Sequence, residues 1–264
     1  MNRRRTILYS ILLVASGIMQ AQDKSDGELA KATQNPLAAM ISLPFQNNTS
    51  YNIGPHKRAQ NILNIQPVIP ASISEKYNLI NRVIAPIITQ PSSFEDNSTS
   101  GLGDINYTAW VSPKKAGKII PGIGPVFQLP TASSKSLGSK EFGIGPSIVA
   151  LSMIDKWVGG IVVNNIWTFG DVSENKFLFQ YFVNYNLPKA WYLVSGPIIT
   201  ANWNATESNK WIVPFGGGAG KVFRIGKQPI NINAHLYYNA VRPDGWAKVQ
   251  SRLQVQFLFP TKKS

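Results

Sequence analysis

Two short runs near the end of the chain concentrate its hydrogen-bonding side chains. Asn231, Asn233 and His235 fall on every second position, and so do Gln250, Arg252, Gln254 and Gln256. Arg82 and Asn184 stand in similar company earlier in the chain. Amides donate and accept, a guanidinium only donates, and an imidazole does either. Such a set suits holding or passing a polar solute through hydrogen bonds; it does not pair a nucleophile with a base. Bond-making chemistry finds little support elsewhere. The two histidines, His56 and His235, lie far apart, no Gly-x-Ser-x-Gly elbow occurs, and no Ser/His/Asp set can be placed. A metal site needs three or four ligands at recognisable spacing, and none is visible. With no cysteine there is no thiol chemistry, no thiolate metal site and no disulfide. The expectation is a protein that is not an enzyme and carries no cofactor.

One run imitates a phosphate loop. Gly216-Gly217-Gly218-Ala219-Gly220-Lys221 ends on Gly-Lys, but Phe215 stands where the first Gly of that motif belongs and Val222 where its Ser or Thr belongs. The glycines read better as a smooth inner wall, where the sheet bends or where residues 22–36 pack closely. The acids Glu95, Asp96, Asp104, Asp171 and Glu174 fall in loops or at strand ends, where solvation is the default reading.

The polar runs need an element that presents them to one side. Successive side chains of a strand point to opposite faces. Val249, Ser251, Leu253, Val255, Phe257 and Phe259 then share one face, and Gln250, Arg252, Gln254 and Gln256 share the other. Ile230, Ile232, Ala234, Leu236 and Tyr238 oppose Asn231, Asn233, His235, Tyr237 and Asn239 in the same way. Phe177, Phe179, Tyr181, Val183 and Tyr185 oppose Leu178, Gln180, Phe182, Asn184 and Asn186. A soluble sandwich covers its apolar faces with a second sheet and buries its aromatics mid-strand. Here the apolar face has no other segment to cover it, so it must meet lipid. A charge such as Arg252 on that face would cost roughly 2–4 kcal/mol at midplane, which directs it inward.

Twelve strands are expected, over 37–47, 59–69, 77–90, 103–112, 119–129, 142–153, 157–169, 176–187, 191–203, 210–223, 230–241 and 246–259. The fold class is all-β: a transmembrane antiparallel up-and-down β-barrel with a short N-terminal helical segment. Connections after odd-numbered strands (48–58, 91–102, 130–141, 170–175, 204–209) run longer than those after even-numbered ones, such as 154–156 and 188–190. Outer-membrane barrels show that asymmetry, with short periplasmic turns and long outer loops. Trp110, Trp157, Trp167, Trp191, Trp203, Trp211, Trp246, Phe257 and Phe259 near strand ends read as interfacial girdles. Pro67, Pro86, Pro125, Pro146, Pro197 and Pro214 fall inside strands, where a closed barrel has no edge to hold them; they mark bulges or bends.

The chain opens with Arg3-Arg4-Arg5 and an apolar run from Ile7 to Met19, the pattern of an export leader with cleavage after Ala21. The expected divisions are a signal peptide over 1–21, a periplasmic or lumenal segment over 22–36 and an outer-membrane barrel over 37–264. Ser25-Asp26-Gly27-Glu28 has capping-box spacing and starts a short helix running to about Ala32. Net charge is +13, and removing Arg3, Arg4 and Arg5 with the leader leaves +10. The lysines are scattered near turns without interleaved aromatics, so nucleic acid is not an expected partner; membrane lipids and a small-molecule solute are.

Several segments carry a family resemblance. They are Leu29–Leu37, Ile41–Asn48, Gly101–Ile105, Gly122–Thr131 and Phe223–Pro229. These resemble a bacterial outer-membrane transporter family whose members go by neuromedin U-like protein and by protein of the MetA pathway of phenol degradation. The resemblance spans nearly all of the chain after its leader. It implies a barrel in the bacterial outer membrane that passes hydrophobic or aromatic compounds, and it brings no catalytic residues. The chain differs in its tail, where Pro260-Thr261-Lys262-Lys263-Ser264 follows Phe259. The leading expectation is a channel or transporter for small solutes, with a narrow lumen partly filled by long side chains or by residues 22–36. A non-transporting barrel that binds ligands through loops such as 91–102 and 130–141 is the second reading. An outer-membrane lipid hydrolase using a histidine is the third.

Overall fold

The computed structural model describes residues 26–92, 96–115, 117–171 and 173–260. The expected leader and Ser25 of the capping box lie outside the described residues. A helix, α1 (Asp26–Thr33), precedes fifteen strand segments. They are β1 (Met40–Ile53), β2 (Arg58–Ile65), β3 (Val68–Ser72), β4 (Tyr77–Pro91), β5 (Ser98–Leu102), β6 (Ile105–Pro113), β7 (Ile119–Leu129) and β8 (Phe142–Ile154). Then follow β9 (Trp157–Phe169), β10 (Asn175–Asn186), β11 (Trp191–Ser195), β12 (Ile198–Asn202), β13 (Trp211–Ile225), β14 (Gln228–Val241) and β15 (Val249–Pro260). β2 runs on into β3, β5 into β6 and β11 into β12, which leaves twelve wall strands. Each pairs antiparallel with the next, and β15 returns to β1 from Met40↔Pro260 to Ser50↔Gln250. The ladder therefore closes, and no strand is left as an edge.

Closure decides which way every side chain points. Gln256, Gln254 and Arg252 of β15 stand opposite Asn231, Asn233 and His235 of β14 and opposite Pro44, Gln46 and Asn48 of β1. These polar groups share the inner face. Arg252 is 7% exposed whereas its neighbour Leu253 is 52% exposed. The inversion runs round the barrel: Asn184, Ser147, Gln128, Thr108 and Asn239 are buried, while Ile123, Ile148, Phe215, Ile225 and Leu236 are open to the outside. An outer surface of that kind is at rest only in lipid.

Two expectations need correction first. The polar stretch 48–58 is not a loop. β1 continues to Ile53 and only residues 54–57 turn into β2. Asn48 and Ser50 face inward, whereas Asn47, Thr49 and Asn61 face outward and satisfy one another through side-chain hydrogen bonds of 2.9–3.2 Å. Trp110 is not part of a girdle. It points inward, is fully buried, and its Nε1 donates to Ser147 Oγ at 3.0 Å. Trp157 and Trp191 at one end and Trp167 and Trp203 at the other do face outward.

The prolines divide into two kinds. Bulges occur at Pro214, where the register against β14 shifts between Val213 and Pro214, and opposite Pro86. There the pairing steps from Ile84↔Asn106 to Ile87↔Leu102 across Gly103 and Asp104. At Pro67 the register runs on unshifted, from Ile65↔Ala85 to Val68↔Arg82, and Pro125 pairs directly with Pro146. A missing donor there removes a bond without adding a residue, so the bulge expectation fails at those positions.

The two faces make opposite forecasts. In urea titrations of the protein in lipid vesicles, Leu253→Arg should lower the unfolding free energy by roughly 2–4 kcal/mol. Gln254→Arg, one residue along and facing inward, should change it by less than about 1 kcal/mol.

Candidate functional site

Inside the barrel lies a cavity of about 710 Å³. The mouth at which β1 begins and β15 ends is partly filled by the segment ahead of β1. Leu29 and Ala30 of α1 pack against Ala190, Tyr192 and Val222. The chain then crosses the mouth, and Leu37 packs against Ile80, Trp110, Val149, Leu151 and Val158 on the other wall. Between these contacts Gln34 and Asn186 exchange side-chain hydrogen bonds of 3.0 and 3.1 Å. Residues 32–36 and Ala38 form the floor of the cavity.

The glycine run serves this arrangement. A Cβ on Gly220 would lie 2.3 Å from the Tyr192 ring, so the missing side chain gives the tyrosine its place. Gly216 has φ +145°, a conformation disfavoured for other residues, and adjoins the bulge at Pro214. The wall both bends and receives a neighbour here, and α1 packs against Val222 of the same strand.

Above the floor runs a continuous polar belt. Asn231 Nδ2 donates to Gln256 Oε1 at 3.1 Å, and Tyr192 Oη donates to Asn231 Oδ1 at 2.6 Å. Asn233 Nδ2 donates to Tyr192 Oη at 3.1 Å. His235 bridges Asn233 Oδ1 at 2.8 Å and Tyr237 Oη at 2.7 Å. Arg252 lies over the Tyr237 ring at 5.1 Å, and its Nε donates to Asn48 Oδ1 at 2.9 Å. Its Nη1 donates to Gly196 O, on the far side of β13, also at 2.9 Å. Arg82 Nη2 donates to Gln66 Oε1 at 2.9 Å. Among the described residues neither arginine is ion-paired. Two guanidinium groups held only by amides and carbonyls leave the lumen positive, and a positive cleft draws anions.

The other end is narrowed by the loop over 130–141, which folds inward. Asp104 accepts hydrogen bonds from Ala132 N at 3.0 Å, Lys140 N at 3.1 Å and Ser139 Oγ at 3.4 Å. Thr131 Oγ1 donates to Gly103 O at 3.0 Å, and Leu137 and Gly138 line the cavity. Asp104 is thus not a solvated strand-end acid: its carboxylate anchors the loop.

Of the residues singled out by pattern, Arg82, Asn184, Asn231, Asn233, His235, Arg252, Gln254 and Gln256 lie on the cavity wall. Gln250 shares their face opposite Ser50 and Tyr237, but it is outside the cavity lining. Pattern reading missed Tyr192 and misread Asp104. The alternation that would reveal Tyr192 is cut short at Gly196-Pro197. Asp104 needed its backbone donors, which lie 28 and 36 residues away. His235 is occupied by Asn233 and Tyr237, and no serine stands beside it; His56 is exposed in a turn.

The closed wall, its apolar exterior and its polar lumen define a transmembrane β-barrel. Solved structures agree on the fold. The COG4313 outer membrane channel from Pseudomonas putida F1 is similar with a TM-score of 0.62 and 16% identity, over 83% of this chain and 94% of that one. The NanC porin aligns with a TM-score of 0.52 and 10% identity, over 84% of this chain and 100% of its own. The CymD monoaromatic hydrocarbon channel aligns at 0.46 and 10% identity, over 93% and 94%, which is too distant to inform function. No protein-family model matches the chain, and no curated protein matches it.

Removing the Asp104 anchor should free the loop. Asp104→Ala leaves the backbone donors of Ala132 and Lys140 without their acceptor, at about 1–3 kcal/mol for the buried Ala132 N–H. Trypsin cleavage after Lys135 and Lys140 should then speed up several-fold while the barrel stays intact. Unchanged cleavage would mean that the anchor does not hold the loop.

Proposed function

We propose that this chain is an outer-membrane channel for small solutes that join an anionic or strongly polar group to an apolar, often aromatic, body. The observation that carries the reading is the mixed lining of the cavity. Arg82, Arg252, Asn231, Asn233 and Gln256 offer donors and positive charge. Ile62, Ile84, Val126, Val162 and Phe182 offer apolar surface within the same space. A cavity of about 710 Å³ falls within the roughly 300–1,000 Å³ common for sites that enclose one small ligand. A general aqueous pore needs about sixteen strands, and twelve leave a narrower path.

The mouth at which β1 begins and β15 ends is periplasmic in this reading, as the expected export leader and an even number of strands require. The segment 26–38 is then a plug that enters from the periplasm, and the loop over 130–141 guards the outer mouth. The resemblance of the sequence to the transporter family supports the same reading. The NanC and P. putida structures support it through fold alone. A protein that acts through projecting surface loops gains less from these observations, because the loop over 130–141 is tied inward by Asp104. A histidine-dependent hydrolase finds no serine or threonine hydroxyl bonded to His235 among the described residues, since its ring nitrogens are taken by Asn233 and Tyr237.

Planar bilayers test the proposal. The intact protein should conduct weakly, and a variant lacking residues 26–36 should conduct at least about five-fold more, because the polar lumen then opens end to end. The open variant should favour chloride over potassium, and Arg82→Gln/Arg252→Gln in that background should abolish the preference. If the folded deletion variant conducts no better and its liposomes admit no small solute, the channel reading is wrong.

A further inference from the structure

The barrel wall is not equally sealed all round. β13 pairs with β11 from Trp191↔Lys221 to Val194↔Gly218 and with β12 only at Thr200↔Ile212 and Ala201↔Trp211. Between these stretches, residues 195–199 and 213–217 form no ladder pair with one another. Other interruptions are shorter: β8 and β9 skip only Gly145 and Pro146 before the same register resumes. The local sequence accounts for the longer gap. Pro197 and Pro214 supply no N–H to it, and the bulge at Pro214 turns β13 out of step with β14. One side-chain bond spans the terminal edge of the gap, where Ser195 Oγ donates to Gly216 O at 2.6 Å.

Both sides of the gap are furnished. On the inside, Gly196 and Ile198 belong to the cavity wall. The free Gly196 carbonyl accepts from Arg252 Nη1 at 2.9 Å and from Gln180 Nε2 at 3.3 Å. Arg252 with Tyr237 beneath it therefore lies across the inner side of the gap. On the outside, Phe215 is 56% exposed and packs edge-on to Tyr238 at 5.5 Å. Just beyond the gap, Phe177, Trp203 and Trp211 cluster with ring centroids 5.3–6.1 Å apart.

We propose that this seam is a lateral portal between the lumen and the lipid phase, latched from inside by the bond from Arg252 to Gly196. The inference rests on the channel reading and adds a route and a cargo to it. The cargo is an amphiphilic aromatic anion. Its acid group forms a charge-assisted, bidentate pair with the Arg252 guanidinium, which outcompetes a neutral carbonyl. Gly196 is then released, the strands are free to part where no ladder holds them, and the apolar body leaves past Phe215 into the bilayer. A fully paired wall could not do this without breaking backbone bonds in lipid.

The absence of native cysteine allows a clean test. Ile199→Cys/Val213→Cys places a disulfide across the gap at positions opposed by extrapolation of the Thr200↔Ile212 register. Thr49→Cys/Ser251→Cys places one across a fully paired seam as control. The full-length variants are expressed in the outer membrane of cells, and entry of 1-anilinonaphthalene-8-sulfonate into lipid is followed by its fluorescence. Oxidation of the Ile199/Val213 pair should slow protein-dependent entry by about five-fold or more, reversibly on reduction, because entry follows the width of the opening. The control should stay within about two-fold. Each variant serves as its own folding control before and after reduction. Entry unchanged by the Ile199/Val213 bridge, or slowed equally by the control bridge, overturns the portal and leaves the channel standing. No protein-dependent entry in either redox state overturns the channel reading and the portal with it.

Discussion

In a bilayer a backbone N–H or C=O has no water to turn to, and each unmet group costs several kcal/mol. The ladder between β1 and β15 meets that constraint for this chain. Once Met40 finds Pro260 and Ser50 finds Gln250, twelve strands form a ring with no free edge. Closure makes side-chain direction a matter of parity. Apolar residues at one parity face lipid, and the amides, the imidazole and the guanidinium groups at the other are gathered inside. The polar belt is thus a consequence of a wall that satisfies its backbone first.

The interior has its own accounting. Side chains removed from bulk water must find partners, and the belt supplies them in sequence from Gln256 through Asn231, Tyr192, Asn233, His235 and Tyr237. Arg252 ends the series by reaching across to Gly196. The two mouths are treated differently. An apolar layer around Leu37 and Trp110 and a helix against Tyr192 narrow one; a carboxylate bonded to backbone amides closes a loop over the other. Arg82 and Arg252 have no ion pair among the described residues and stand beside the cavity, where a solute can provide what the protein does not.

Much of this could be read from sequence because period two is a strong signal when it repeats. The β14 and β15 patterns placed Asn231, Asn233, His235, Arg252, Gln254 and Gln256 on one face, and the register agrees. Reading failed where polarity has two explanations. Asn48, Thr49 and Ser50 look like a loop, yet they lie on β1, and Thr49 bonds to Asn47 and Asn61 on the outer wall. Trp110 looks like a girdle residue, yet parity turns it inward to Ser147. Asp104 looks solvated because its partners come from a loop closed only in three dimensions. The prolines announced interruptions, but only the pairing distinguishes bulges at Pro214 and opposite Pro86 from simple losses of a donor at Pro67 and Pro125.

The central claim is that a polar passage runs through the barrel and is held shut by the segment ahead of β1. The amides of Gln34 and Asn186, within 3.0–3.1 Å of each other, offer the most direct handle on it. In single-channel recordings of full-length Gln34→Cys/Asn186→Cys, the protein cross-linked by a short, reducible bis-methanethiosulfonate should stay closed at all holding potentials. Adding reductant to the same bilayer should restore openings that carry anions. Identical current before and after reduction, whether open or closed, would contradict the account.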